Sequence, residues 1–523
     1  MRIQKPREIA ARVLQQREKA ADYVENLLEA GLPSLSPADR SLCQELVYGV
    51  VRRQRTLDWL IARKAEGRVQ KATLQILLRL GLYQMFWLHR VPDHAAVNET
   101  VELARQLGCG LQSGFINALL RGYAREREET RKLLDELKAN QPGLGYSHPD
   151  WLCERWQKRR GADKLRHLLE WNNTPPKTFA RVNTLRTDAG KLLEQWRHED
   201  VEYDFVQRDW LEENLVFELK SHPPLTSLPS FQKGLFYVQD PSTLLPVREL
   251  DPQPGETILD LCAAPGGKTT YIAQLMHNRG QLVAEDVDIF RLRLLRDNCA
   301  RLGVSCVEMA APGDEVPNLA RPHSGLAHEP PLFGDSDRVR TPPHPPFGHP
   351  LPPSRGERDG VRGAAGGFRG ATGAQNSGSL PQGEGRSEGK HADPNPPSTL
   401  RPPRFDRVLV DAPCSNTGVM RRRVDLRWRV RPEEIDRLRS AQLELLHHGA
   451  LQIKPAGVLV YSTCSLEPEE NGEVVKEFLA GHSGFKLEAE RELSPFADGV
   501  DGAYVARLVK PSGQAPAGPC EKR

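Results

Sequence analysis

Thr257-Ile258-Leu259-Asp260-Leu261-Cys262-Ala263-Ala264-Pro265-Gly266-Gly267-Lys268-Thr269-Thr270 is the stretch on which the reading of this chain turns. Its first five residues form a mostly apolar run of strand length, the paired glycines supply a tight turn, and a helix follows over Thr269–Met276. A strand that runs through glycines into a helix points the free N–H groups of the helix N-terminus at whatever lies in the turn. A phosphate-binding P-loop is excluded. Gly267-Lys268-Thr269 ends like one, but that motif needs a glycine where this chain has Cys262. An ordinary tight turn remains the plain alternative.

Outward from this stretch, strands alternate with helices. Gln281–Ala284 reads as a second strand, Ile289–Leu302 as a helix, and Ser305–Met309, Arg407–Val410 and Gly457–Tyr461 as three further strands. Such alternation predicts a doubly wound, mostly parallel α/β domain over residues 236–510, whose ligands sit beyond the C-terminal strand ends. The second strand ends in Ala284-Glu285-Asp286-Val287-Asp288, where Asp286 is spaced to accept hydrogen bonds from a ribose. The fourth ends in Val410-Asp411-Ala412-Pro413-Cys414-Ser415-Asn416-Thr417-Gly418, the fifth in Tyr461-Ser462-Thr463-Cys464-Ser465-Leu466-Glu467-Pro468-Glu469-Glu470-Asn471. A lone cysteine is usually a small buried hydrophobe. Two at the mouths of strands facing one crevice, each in a polar loop, are hard to explain as packing. They suit chemistry in which a thiolate adds to carbon 6 of a cytosine, making carbon 5 nucleophilic, and a second group helps to resolve the adduct. Asp411 is placed to hydrogen-bond the base edge.

Residues 321–403 interrupt the alternation. They hold 16 Pro and 14 Gly among 83 positions, with no Ile, Trp, Tyr or Cys, a composition that predicts a disordered insertion between the third and fourth strands. Closing so long a loop costs only roughly 2 kcal/mol more than a short one, so the domain tolerates it. Residues 511–523 read as a disordered tail.

The rest of the chain divides in two. Residues 1–140 carry apolar residues at helical spacing and read as an all-α bundle; residues 141–235 pass from helix into short strand-like pieces, Thr178–Asn183 and Leu235–Val238, and read as a small α+β adaptor. A length of 523 residues agrees with several domains, and 38% hydrophobic with 27% charged residues is ordinary for a globular protein. No apolar run reaches membrane-spanning length, and the N-terminus lacks the apolar stretch of a secretory signal; a cytoplasmic protein is expected. Nine cysteines without a CxxC pair argue against a structural zinc site or a disulfide framework. A net charge of +3 does not announce a nucleic-acid binder. The cluster Arg421-Arg422-Arg423 with Arg427, Arg429 and Arg431, directly after the Cys414 loop, predicts phosphate contact, while Trp428 suits base stacking and packing equally.

The runs Asp260–Thr270, Asp411–Gly418 and Tyr461–Asn471 resemble the Nop2/Sun group of RNA cytosine-C5 methyltransferases, and within it the bacterial RsmB (Sun/Fmu) family that acts on 16S ribosomal RNA. The likeness covers nearly all of the chain outside 321–403 and the last dozen residues. Glu45–Arg52, Gly81–Met85 and Asn117–Arg121 resemble that family's NusB-like RNA-binding domain, which turns the helical bundle from a solvated body into an RNA contact. The resemblance implies a Rossmann-like domain that binds S-adenosylmethionine, with Cys464 as nucleophile and Cys414 assisting product release. Cys262, Ala263, Ala264, Pro265, Gly266, Gly267, Lys268, Asp286 and Asp411 would line the cofactor pocket. It further implies a monomer acting on 16S rRNA, with no metal and no membrane. Rivals are a tRNA or 23S rRNA cytosine methyltransferase, or a non-catalytic RNA-binding assembly factor if the insertion disables the site. The chain departs from the family at Asn416 (usually Gly or Ala), Glu285 (usually apolar) and Val424 (usually Pro). The third-strand acid expected to contact the cofactor has Asp314 as its nearest candidate, two positions late.

Overall fold

The helix Ala72–Trp87 is apolar on nearly every face, and a helix of that kind has to be covered on all sides. The helices Pro6–Lys19, Pro37–Arg52, Gln54–Lys64, Asp93–Gln106 and Ser113–Arg125 surround it and bury Leu74, Ile76, Leu77, Leu78, Leu80, Leu82 and Met85. Ser36 starts one of these helices by accepting a hydrogen bond from Asp39 N, with Pro37 in the first turn. The computed structural model describes residues 6–19, 22–32, 35–310 and 404–512. Asp314, the 321–403 insertion and the tail beyond 512 lie outside the described residues.

Two helices, Asp150–Arg160 and Ala162–Trp171, lead into a four-stranded antiparallel sheet of order β2-β3-β1-β4. Its strands are β1 (Thr178–Val182), β2 (Glu202–Phe205), β3 (Val216–Ser221) and β4 (Phe236–Val238). The helix Ala189–His198 covers one face through Trp196, which meets Phe217 and Phe236 edge-on at 5.7 and 5.3 Å. From β1, the buried Arg181 reaches the next body, donating to Gly267 O (2.9 Å), Thr270 Oγ1 (3.0 Å) and Gln239 Oε1 (2.6 Å).

The last body is a seven-stranded sheet of order β10-β11-β9-β8-β5-β6-β7. Its strands are β5 (Thr257–Leu261), β6 (Gln281–Glu285), β7 (Val307–Ala310), β8 (Phe405–Asp411), β9 (Ile453–Thr463), β10 (Lys486–Leu493) and β11 (Ala503–Val509). β5 to β9 are parallel, and β11 and β10 add antiparallel at one edge. The order reverses between β5 and β8, so a crevice opens beyond their C-terminal ends. Five strands are expected from the sequence and all five are present. The two antiparallel strands are additional: β10 reads KLEAEREL, rich in helix formers and largely exposed, and becomes a strand only because it lies along β11. Among the described residues no helix is long and apolar enough to cross a membrane.

Candidate active site

β5 leaves the sheet through two left-handed residues, Cys262 (φ 63°) and Gly266 (φ 104°). A Cβ on Gly266 would lie 2.4 Å from Leu295 Cδ1, so the turn needs glycine there. The following helix runs Gly267–Leu275, two residues earlier than the expected Thr269. Above it lies a cleft lined by residues of β5, β8 and β9 and their loops. Of the residues expected to hold a cofactor, Cys262, Ala263, Ala264, Pro265, Gly267, Lys268 and Asp411 line it, and so does Cys464. Three of the expected residues stand behind the wall. Gly266 faces Leu295, and Cys414 lies behind Cys464. Asp286 is buried, accepts from Ala264 N (3.1 Å) and pairs with Arg291 (3.5 Å); burial raises its proton affinity against the pull of Arg291.

Asp260 joins this wall, although the sequence reading treats it as a strand residue. Its Oδ2 accepts from Thr269 Oγ1 (2.7 Å), while Oδ1 is buried without a partner among the described residues. Burial pushes its carboxyl up to about 7, against the Thr269 hydrogen bond. A carboxylate inside an otherwise apolar buried strand was the signal for it.

β8 and β9 pair with Asp411 opposite Ser462, which brings the two cysteine loops side by side. Cys414 Sγ and Cys464 Sγ are 3.2 Å apart, and Cys464 N donates to Cys414 Sγ (3.3 Å). Cys464 is partly exposed to the cleft, whereas Cys414 is buried and its thiol is pushed well up, first by burial and then by its bond to Cys464. Asp411 accepts from Lys268 Nζ (2.6 Å) and Ser462 Oγ (2.8 Å). Burial opposes the charge on Lys268, but the adjacent Asp411 outweighs it and raises the ammonium's proton affinity. Lys268 and Arg423 both lie within electrostatic reach of Cys464.

Several residues outside the sequence-based set hold this pair in place. Asn416 sits at φ 59°, a conformation asparagine tolerates; its Oδ1 accepts from Cys464 Sγ (3.0 Å) and its Nδ2 donates to Cys414 O (2.6 Å). Glu470 is buried and braces the two loops, accepting from Ser415 N (2.8 Å), Ser465 Oγ (2.5 Å), Gln442 Nε2 (3.0 Å) and Ser415 Oγ. Gly418 N donates to Cys464 O (2.9 Å). Glu467, fully buried, ties the Cys464 loop to Arg155 (2.5 Å), Arg159 (2.6 Å) and Trp156 Nε1 (2.8 Å).

Within the arginine cluster, Arg421, Arg422 and Arg427 meet internal partners instead of the expected phosphate, while Arg431 is exposed. Arg421 is buried over the Trp171 ring and pairs with Asp501 (3.2 Å), and Arg422 is shared between Asp240 (2.6 Å) and Asp501. Arg427 is fully buried, and Arg429 stacks on Tyr23 at 4.5 Å. Trp428 packs against the helical core and donates to Val51 O (2.8 Å), so of its two readings packing holds. A charge run looks alike in sequence whether it meets solvent or internal carboxylates and carbonyls. Among the described residues no group of His, Cys, Asp and Glu is placed to hold a metal ion.

Comparison with known proteins agrees with each body. Residues 4–125 match the NusB family, 148–219 the ferredoxin-like domain of RsmF/B-like methyltransferases, and 247–317 with 389–509 the 16S rRNA methyltransferase RsmB/F family. A protein of Synechocystis sp. named "Probable ribosomal RNA small subunit methyltransferase B" is 33% identical, with 94% of this chain and 92% of that protein aligned. One with the same name from Bacillus subtilis is 30% identical over 96% and 98%, and the Escherichia coli ribosomal RNA small subunit methyltransferase B is 31% identical over 96% and 98%. A solved crystal structure aligns over 97% of this chain and 99% of its own at 21% identity and a TM-score of 0.66, a likeness that bears on the fold alone.

Proposed function

The chain belongs to the RsmB/F family of 16S rRNA methyltransferases, and we propose that it methylates carbon 5 of one cytosine in 16S rRNA through a covalent bond from Cys464 to carbon 6. The observation that carries this reading is the cysteine pair: two sulfurs 3.2 Å apart over one cleft, one facing it and the other buried behind.

The family's cofactor, S-adenosylmethionine, supplies an electrophilic methyl group when bound. The residues of the cleft suit such a molecule: Cys262 to Pro265, Gly267 and Lys268 line it, the unpartnered Oδ1 of Asp260 offers an acceptor for an ammonium, and Asp286, behind Ala264, is the acceptor we assign to the ribose hydroxyls from its place at the end of β6. Asp314, the nearest candidate for the third-strand acid expected to contact the cofactor, lies outside the described residues.

Cys464 acts as the nucleophile, because its sulfur reaches the cleft and a thiolate there would face the cations Lys268 and Arg423. Bond formation to carbon 6 moves the electrons of the 5,6 double bond onto carbon 5. Asp411, steadied by Lys268 and Ser462, is placed to hydrogen-bond the base edge and favour that electron shift. Release needs a base for the carbon-5 proton and departure of sulfur from carbon 6. Cys414, whose sulfur lies 3.2 Å from that of Cys464, is assigned to this step: as a thiolate it would take the carbon-5 proton, and the electron pair left on carbon 5 would re-form the 5,6 double bond and expel the Cys464 sulfur as a thiolate.

The test uses a 16S rRNA fragment and S-adenosylmethionine. Cys414→Ala should accumulate an RNA–protein adduct that survives a denaturing gel, and the double variant with Cys464→Ala should form none. Cys464→Ala alone should transfer no methyl group while binding the cofactor as before. Normal transfer by Cys464→Ala would overturn the mechanism, and no transfer by the wild-type chain would favour a non-catalytic RNA-binding role.

A further inference from the structure

The segment that follows the Cys414 loop leaves the catalytic body and enters the helical one. Val424 is completely buried within the hydrophobic core formed by helices Pro6–Lys19 to Ser113–Arg125. One residue on, Asp425 is also completely buried. Its Oδ2 accepts from Val24 N (2.7 Å), at the first turn of the helix Val24–Gly31, and its Oδ1 accepts from Arg17 Nε. Arg17 in turn donates to Gln54 Oε1 (2.8 Å) on a third helix. A carboxylate at a helix N-terminus normally comes from the residue just before that helix; this one comes from 401 residues further along the chain.

Arg427 makes the docking more specific. It has no exposed surface, and its described partners are all neutral oxygens: Arg52 O (3.1 Å), Asn172 O (2.8 Å), Asn173 Oδ1 (2.9 Å) and Ser147 O (3.4 Å). Burying a guanidinium without a carboxylate is costly, and each of its bonds has to be made in one geometry. Back along the chain, Gly418 and Cys464 are joined backbone to backbone, and Arg421 and Arg422 hold Asp501 and Asp240. A continuous run of buried contacts therefore leads from the helical body to the loop that carries Cys414 and Asn416.

We propose that Asp425 is a positioning residue of the reaction, through which the helical body sets the placement of the Cys414 loop and hence the turnover rate, in addition to any part that body has in holding RNA. The proposal rests on the cysteine mechanism above for what the loop does. Its test is read by total methyl transfer, which does not depend on which sulfur is the nucleophile.

Asp425→Asn keeps the size of the side chain and weakens both bonds, and Arg17→Gln removes one partner from the other side. A displacement of reacting groups by about 1 Å can cost about a hundredfold in rate. Each variant is expected to lose about tenfold or more in kcat, measured with labelled S-adenosylmethionine and a 16S rRNA fragment, with Kd for RNA and for cofactor within about twofold of wild type. Because the two residues act through one contact, the double variant should lose little more than the worse single one. Asp425→Glu, which retains the charge, should recover part of the rate, and circular dichroism on each variant reports whether the fold is intact. Unchanged kcat in an Asp425→Asn variant of intact fold would overturn the proposal. So would a loss confined to RNA affinity, which would make the helical body an RNA-holding module only. If Cys414→Ala gives no adduct while Asp425→Asn still slows transfer, the cysteine assignment fails and the positioning role stands.

Discussion

Glu285 is the place where this chain puts an acid at a position the resemblance leads one to expect apolar, and the consequence can be worked out. It ends β6, in register with Leu261 on β5 and Ala310 on β7, and is 4% exposed. Neither carboxylate oxygen has a hydrogen-bond partner among the described residues. Burial raises its carboxyl from 4.5 to about 7, with the charge of Arg404 pulling the other way. A folded-state value above the unfolded one means that the bound proton favours the folded state; that contribution is whole below pH 4.5 and is lost as pH rises through 7. The full shift corresponds to about 3 kcal/mol. Glu285→Val should therefore stabilise the catalytic body by about 3 kcal/mol at pH 8.5 but by only about 1 kcal/mol from this source at pH 5. Hydrogen exchange of the β5 and β6 amides, with denaturant unfolding at both pH values, reads the difference. Equal stability of the two proteins at pH 8.5, or a gain of the same size at both pH values, would refute the reasoning.

Two further perturbations probe the site and its surroundings. A Cβ on Gly418 would lie 2.6 Å from Cys464 O and 2.9 Å from Gly502 Cα, both backbone atoms that cannot swing aside, so Gly418→Ala should separate the cysteine loops and lower kcat by about a hundredfold with RNA Kd unchanged; wild-type kcat would contradict the brace described here. Residues 321–403 hold 16 Pro and 14 Gly among 83 positions, and the family match skips 318–388. Joining Ala320 to Arg404 should give a folded protein with unchanged cofactor affinity and methylation rate, and one that no longer folds would contradict this.

The catalytic fold was legible because parallel strands covered on both faces read as apolar runs, as in Thr257–Leu261 and Val408–Val410, and because glycines marked the turn between strand and helix. The two cysteines were legible for the same reason: each followed such a run into a polar loop. β2, β3, β10 and β11 were missed because strands that owe their form to antiparallel neighbours carry a weaker local signal. Asp260 and Glu470 were quoted within their motifs and not singled out, since their importance lies in burial and in partners distant in sequence. Arg421, Arg422 and Arg427 stand out in the sequence as charges, but their burial against distant partners does not. Asp425 lies seven positions after Gly418, and nothing in that spacing says that it caps a helix beginning at Val24.

Methylation of carbon 5 of a cytosine in 16S rRNA by this cleft can be read directly. The most direct measurement incubates the purified full chain with unmodified 16S rRNA and S-adenosylmethionine, maps the product by bisulfite sequencing and identifies the nucleoside by mass spectrometry. The expected product is 5-methylcytosine at a single position, and none with Cys464→Ala; a methyl group on the ribose, on a ring nitrogen or on another RNA in preference to 16S rRNA would contradict the proposed function.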